Sequence, residues 1–236
     1  MPGEKDKEYL VSMGLSENNI FVTGRPRYKN LYEGTIKKLN NVRDMYTDRI
    51  YEFDKNKFTI LFTTNPIDYK TNKKLITGVL RSLKELNLLD NLIIKLHPRE
   101  YGLFHKGLID QMNVSPIIVQ DVEILDLIKS SDLLLSRVST TILESITIGT
   151  PVIVLDDVNS DFRFSDTLLF TREKSLLTIR NQGELIEIIK SFIKNRDYLK
   201  EYTEKLRKLS IIYCPKRDVN PIKKSIKLIN KIMEKQ

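Results

Sequence analysis

The chain has 236 residues, 41% of them hydrophobic and 30% charged, which is ordinary globular usage and enough length for one generous domain with a buried core. Its single cysteine, Cys214, excludes an internal disulfide and a cysteine-built zinc cluster and fits a reducing cytosol; no apolar run approaches the ~18 residues of a membrane span, and the opening MPGEKDKEY lacks the apolar core of a signal peptide. A formal charge of +8 favours anionic partners, but no helix-turn-helix, RNA-binding sheet motif or zinc finger accompanies the scattered Lys and Arg, so nucleic acid is set aside.

Residues 1–57 read as a charged helix, a short strand NIFVT (19–23), the loop Gly24-Arg25-Pro26-Arg27 and a polar helix running to about Phe53. This is too little for a second domain, and it is taken as a junction segment ahead of a domain spanning 58–236. From Phe58 onward short β-rich apolar runs alternate with helical patterns, the signature of βαβ units and a parallel sheet. The strands are FTILFT (58–63), NLIIKL (91–96), PIIVQ (116–120), DLLLS (132–136), PVIVL (151–155) and a weaker SLLTI (175–179). Their near-continuous apolar character predicts a sheet of about six strands with helices on both faces. Helices are expected near 71–87, 101–112, 122–130 and 140–148, then over GELIEIIKSFIKN, around 197–209, and from Pro221 onward. Right-handed crossovers bring the strand C-terminal ends to one rim, where open α/β sheets bind ligands.

Three stretches of that rim could carry chemistry. Thr64 and Asn65, in the turn Thr63-Thr64-Asn65-Pro66, end the first strand with small polar residues that let a ligand approach. Lys95-Leu96-His97-Pro98-Arg99 follows the second strand; His97 there can bind phosphate or protonate a leaving group, Pro98 fixes the turn and Arg99 adds charge. Taken alone, His-Pro is better explained by a histidine tying down its own turn. In SSDLLLSRVSTTILESITIGTPVIVLD, Ser139, Thr140 and Thr141 stand where a helix begins, so hydroxyls, backbone N–H groups and the positive dipole end converge on an anion site. The competing reading is a capping box of Thr141 with Glu144, which leaves two hydroxyls unexplained. Glu144 is either that cap or a partner for ribose hydroxyls.

No Gly-x-Gly-x-x-Gly, Gly-Lys-Ser/Thr or Gly-x-Ser-x-Gly element is present, which disfavours dinucleotide oxidoreductases, P-loop enzymes and α/β-hydrolases. Asp156, Asp157, Asp161 and Asp166 match no tight calcium loop and read as a solvated segment, so no metal is expected. In the last helix, Ile222, Ile226, Ile229 and Met233 form an apolar stripe beside Lys223, Lys224, Lys227, Lys231 and Lys235. Such a stripe either lies on an anionic membrane or, as expected here, packs on its own domain.

VTGRPRY (22–28), KLHPRE and the Ser/Thr-rich turn with its helix together resemble, over most of the chain, the C-terminal nucleotide-sugar domains of GT-B enzymes of surface-polysaccharide synthesis. Bacterial polysialyltransferases, CDP-glycerol glycerophosphotransferases and capsule Kdo transferases share the His-Pro and Ser/Thr pattern. The resemblance implies a single Rossmann-like domain and a CMP/CDP- or UDP-linked donor as substrate, with no further cofactor. His97, Pro98, Ser139 and Thr140 would contact that donor, with His97 in the catalytic role.

The main expectation is therefore the donor-binding half of a glycosyltransferase, acting on a glycan or lipid-linked acceptor in the cytoplasm, with peripheral membrane contact. The alternatives are a UDP-GlcNAc 2-epimerase-like enzyme, set lower because its Arg- and Glu-rich segment is not evident in LDDVNSDFRFSD, and a non-catalytic nucleotide-sugar-binding module. A complete GT-B enzyme also has an N-terminal Rossmann domain, so the resemblance implies a fragment, a split enzyme or a partner chain. Gly24, Arg25 and Arg27 are expected at the crevice edge where such a domain docks, a face that also suits a homodimer.

Overall fold

A computed structural model describes residues 3–54, 56–156, 173–214 and 220–234, apart from the side chains of residues 27, 29 and 32. Asp157, Asp161 and Asp166 therefore lie outside the described residues. The chain opens with helix α1 (Glu4–Ser12), a short helix α2 (Lys29–Glu33), and strands β1 (Asn41–Arg43) and β2 (Ile50–Glu52), which pair as an antiparallel hairpin.

That hairpin corrects the polar helix expected up to Phe53, and α2 stops after five residues at Gly34, whose φ of +67° closes it in the left-handed region. Asp44 explains the difference: its carboxylate accepts from the N–H groups of Tyr46 and Thr47 and from the Thr47 hydroxyl, building the turn. On either side, Val42 and Tyr51 face inward while their neighbours are exposed, the period of a half-buried strand. The strand expected at NIFVT is also absent; Ile20 is extended but has no strand beside it.

Next come β3 (Ile60–Thr63), α3 (Tyr69–Glu85), β4 (Leu92–Lys95), α4 (Gly102–Met112), β5 (Ile117–Val119), α5 (Ile124–Ser130), β6 (Leu133–Ser136), α6 (Thr141–Ile148), β7 (Val152–Leu155), β8 (Leu177–Ile179), α7 (Gln182–Lys194), α8 (Arg196–Tyr213) and α9 (Pro221–Met233). The six strands β3 to β8 form one parallel sheet in the order β5-β4-β3-β6-β7-β8. Every residue of β3, β4, β5, β6 and β7 is buried, as a sheet covered on both faces requires. The crossovers from β3 run one way and those from β6 the other, so α3 packs with α7 over one face while α5 and α8 flank α6 over the other.

Side-chain bonds hold the ends of these elements. Asp68, Asn181, Asn195 and Asn220 cap α3, α7, α8 and α9 by accepting N–H bonds from their first turns. Gly149, at a φ of +96°, ends α6 where a side chain would be strained. Tyr202 reaches from α8 to donate to the Val152 carbonyl (2.6 Å) and accept from the Leu177 N–H (3.1 Å), fastening α8 under β7 and β8. The β1–β2 hairpin covers the β5 edge: Ile118 N–H donates to Asp44 (2.7 Å) and Met45 N–H to the Ile118 carbonyl (2.8 Å). Helix α9 does not pack its apolar stripe on the domain as expected; Pro221 is its one buried residue.

Candidate functional site

β3 and β6 are the pair at which the strand order reverses, and a crevice necessarily opens above their C-terminal ends. Their last residues, Thr63 and Ser136, sit directly opposite each other. The Thr63 hydroxyl donates to Ser136 Oγ (2.8 Å); Ser136 Oγ in turn donates to the Arg137 carbonyl and lies 3.1 Å from the Thr141 hydroxyl. This hydroxyl chain lies beneath a cleft of about 520 Å³, which Thr63 and Thr141 line and whose size is in the range of small-molecule sites.

One wall is the turn after β4. His97 is half-buried, and its Nδ1 accepts from the Arg99 N–H (3.1 Å), which leaves the proton of the neutral ring on Nε2. Burial, then the charges of Arg99 and Lys95, push the imidazole below its usual pKa against the opposing pull of Glu100. His97 is thus a neutral Nε2–H donor at pH 7.

Behind it stands Glu100, its side chain only 6% exposed. The carboxylate accepts from the His97 N–H (2.9 Å), Asn72 Nδ2 (2.8 Å) and the Thr64 hydroxyl, and His105 Nε2 lies 3.2 Å away. Burial alone would raise its pKa; the bonds from His105, Thr64, the His97 N–H and Asn72 outweigh it and hold the group at about 2. Gln120 completes the clamp by donating to the carbonyls of His97 and Glu100, both at 3.0 Å.

The opposite wall is the start of α6. Ser139 Oγ accepts from the Thr141 N–H (3.3 Å), Thr140 is the N-cap residue without a side-chain cap bond, and all three hydroxyl residues line the cleft. The Thr141–Glu144 capping box does not form, because Thr141 is already inside the helix with its hydroxyl beside Ser136, and Glu144 is buried at 1% exposure. A third side, Gln120 to Ile124, brings the carboxylates of Asp121 and Glu123 to the lining together with Val122 and Ile124.

Six residues expected at the site, Thr64, His97, Pro98, Ser139, Thr140 and Thr141, therefore share one cleft. Three others expected there, Asn65, Arg99 and Glu144, and the junction residues Gly24 and Arg25, do not line it. Asn65 bridges the rim loops through a long 3.5 Å contact with the Val138 carbonyl, and Arg99 is exposed, acting through its backbone N–H. Glu144 points into the body, close enough to Cys214 to raise the pKa of its thiol, after burial, the main cause. Arg25 sits over the Tyr28 ring (5.6 Å), and Tyr28 packs with Leu31, Leu125 and Cys214 against Ile124, a residue of the cleft wall. Gly24 is buried at a φ of +86°; the Arg27 side chain lies outside the described residues.

Sequence reading missed Glu100, Gln120 and Ser136. Glu100 had a local signal, a carboxylate three residues after His97; the partners that give it meaning come from three other elements. Among the described residues no cluster of His, Cys, Asp or Glu suited to a metal is present, and no helix is long and apolar enough to cross a membrane.

A parallel sheet in this order, with its crevice at the switch point lined by an imidazole and a hydroxyl-rich helix start, defines a doubly wound, Rossmann-like ligand-binding fold. Within that class, the family model of UDP-N-acetylglucosamine 2-epimerase matches residues 1–205, and the chain belongs to that family. No curated protein sequence matches it.

Solved structures agree on the fold. A Listeria monocytogenes protein described as a UDP-N-acetylglucosamine 2-epimerase superposes with a TM-score of 0.63 at 15% identity, over 100% of this chain and 59% of that one. The UDP-GlcNAc 2-epimerase of Neisseria meningitidis, bound to UDP-GlcNAc, gives 0.60 at 17% identity over 99% and 60%. The wall teichoic acid polymerase TagF gives 0.59 at 16% over 100% and 56%. The chain thus spans about 60% of the length of the first two. The family match corrects the order of the sequence expectations: it favours the epimerase alternative over the glycosyltransferase reading.

Proposed function

We propose that the chain is the nucleotide-binding part of a sugar-nucleotide enzyme of the 2-epimerase type and holds a UDP-linked sugar in the switch-point cleft. The observation that carries this reading is the convergence of His97 and the α6 start on one cleft in a chain whose family match covers residues 1–205. The diphosphate lies between the His97 Nε2–H and the Ser139, Thr140 and Thr141 hydroxyls at the positive end of α6, donors that need no rearrangement to meet an anion. It cannot lie along Asp121 and Glu123, whose charges repel it. Those carboxylates suit ribose hydroxyls, and Val122 and Ile124 suit the face of the base, which supports a nucleoside lying along Gln120 to Ile124.

A second reading, the donor half of a glycosyltransferase using a cytidine nucleotide, draws on the His-Pro turn and the run of hydroxyls, and on the missing Arg- and Glu-rich character of LDDVNSDFRFSD. Calorimetry with UDP, CDP, UMP and uridine separates the two. UDP bound more tightly than UMP and CDP supports the present reading; preference for CDP transfers it to the glycosyltransferase class, and no binding of any nucleotide removes both. Conversion of UDP-GlcNAc, followed by NMR with the chain alone and with an added N-domain chain, then tests for turnover.

A further inference from the structure

From Pro221 to Met233 helix α9 contains four lysines and no acidic residue, and its apolar side chains are turned outward. Ile226, Ile229 and Met233 are 53%, 54% and 68% exposed, with Ile222 and Ile232 also open to solvent. Positions 222, 226, 229 and 233 fall on one helical face and make a stripe about 17 Å long at 1.5 Å per residue. The other face, Lys224, Lys227, Leu228 and Lys231, looks onto a groove against Glu4, Lys7 and the segment Ile20–Thr23 of the same chain. A helix amphipathic in this sense normally buries the apolar face and exposes the lysines. Here the lysine side looks across a groove at the domain, and the isoleucine face is turned to solvent.

We infer that α9 is a docking face for an anionic lipid surface. Access is the first reason. A protein groove that wraps an amphipathic helix needs room on both flanks, and on one side α1 and the Ile20–Thr23 segment stand across a narrow groove, whereas a bilayer needs only the outward stripe. Charge is the second. Lys224, Lys227 and Lys231 line the groove with one carboxylate, Glu4, Lys7 being paired with Glu17 (3.0 Å), and Lys223 stands exposed, so α9, with no acidic residue of its own, carries a net positive charge towards whatever it meets. A second copy of the chain would bring the same lysine-bearing helix against itself across a two-fold axis, and like charges oppose that pairing. The apolar stripe then inserts at the headgroup boundary while Lys223 at its border reaches up to phosphates.

The test uses the whole chain and sedimentation with phosphatidylcholine vesicles, with and without phosphatidylglycerol. Binding is expected only with the anionic lipid and should fall at least tenfold between about 0.1 M and 1 M salt, as the Debye length shrinks from roughly 10 Å to 3 Å. The double variant Ile226→Glu/Ile229→Glu should lose binding by a similar factor while keeping its far-UV circular dichroism and UDP affinity, since neither residue belongs to the core or the cleft. Equal binding to neutral vesicles, binding retained by the double variant, or none at all overturns the inference. So does light scattering that shows a dimer which the double variant dissolves, because the stripe is then covered by a second copy.

Discussion

Glu100 puts a full negative charge behind a cleft whose other features invite anions, and its bonds explain how the two coexist. Three groups, from the ends of β3 and α3 and the turn after β4, spend their hydrogens on it, with the His105 ring of α4 beside it at 3.2 Å, so little of its field remains for a ligand. Its folded pKa of about 2 lies below the ordinary 4.5, so the stabilisation is complete above pH 4.5 and is lost as pH falls from there towards 2. At 1.36 kcal/mol per unit this amounts to roughly 3 kcal/mol at most. Glu100→Gln should therefore cost about 2–3 kcal/mol in urea unfolding at pH 7, and its loss of stability between about pH 5 and pH 3 should be shallower than the parent's. It should also weaken UDP, because the His97 turn loses its anchor. Parent-like stability at pH 7 would show that the node is dispensable. His97 was legible because an imidazole directly after an apolar strand has one place to go. Glu100 was not, because a carboxylate's worth depends on donors that only folding assembles.

Among the elements, the sheet was legible and the junction segment was not. The strands ILFT, LIIK, LLLS and VIVL are apolar at every position but the last of some, and no amphipathic helix has that pattern. Residues 41–52 carry a weaker signal. Each strand of the hairpin spans three residues with a single inward side chain, Val42 or Tyr51, too short for a period of two to stand out from polar helix. The deciding interaction is tertiary, the seating of Asp44 on β5. This carboxylate is 3% exposed; burial raises its pKa, but the N–H groups of Ile118, Thr47 and Tyr46 and the Thr47 hydroxyl outweigh that and lower it. Asp44→Ala removes the acceptor and leaves the Ile118 N–H unsatisfied at a sheet edge, at a cost of about 2–3 kcal/mol. The loss should show in urea melts and in faster amide exchange at Ile118, with exchange in β6 and β7 changed only through global stability. Unchanged exchange at Ile118 would mean the hairpin is held by Val42 and Tyr51 instead.

At the scale of the molecule the ligand site and the fold share one pair of strands, and this links affinity to stability. The cleft draws one wall from the β3–β4 half of the sheet and the other from β6 and α6, so a diphosphate held as proposed by His97 and Ser139–Thr141 would tie the two halves across the switch point. Sequence placed these residues on one rim because every parallel strand ends there; it could not fix Glu144, which helical periodicity turns into the body beside Cys214. A ligand that binds only the folded chain stabilises it by about 2.7 kcal/mol at a hundred times its Kd, which for a chain of this size raises Tm by roughly 5–10 °C. UDP should do this for the parent. His97→Ala should unfold at the parent's temperature without ligand, since the side chain's one recorded bond accepts the exposed Arg99 N–H, and at the same UDP concentration it should gain several degrees less, in line with about tenfold weaker binding. The pH dependence completes the case. Because the pKa of His97 is lowered, the ring stays a neutral donor down to its ordinary value of about 6.5, so the imidazole should contribute no change in the parent's UDP affinity from pH 8 to about 6.5, and any gain from the imidazolium sets in only below that, against the loss of charge on the terminal phosphate of UDP, which protonates near pH 6. A His97→Ala variant with a lowered bare Tm, unaltered UDP affinity and the same pH profile as the parent would reduce His97 to a tie for its own turn and leave the α6 start to hold the phosphates alone.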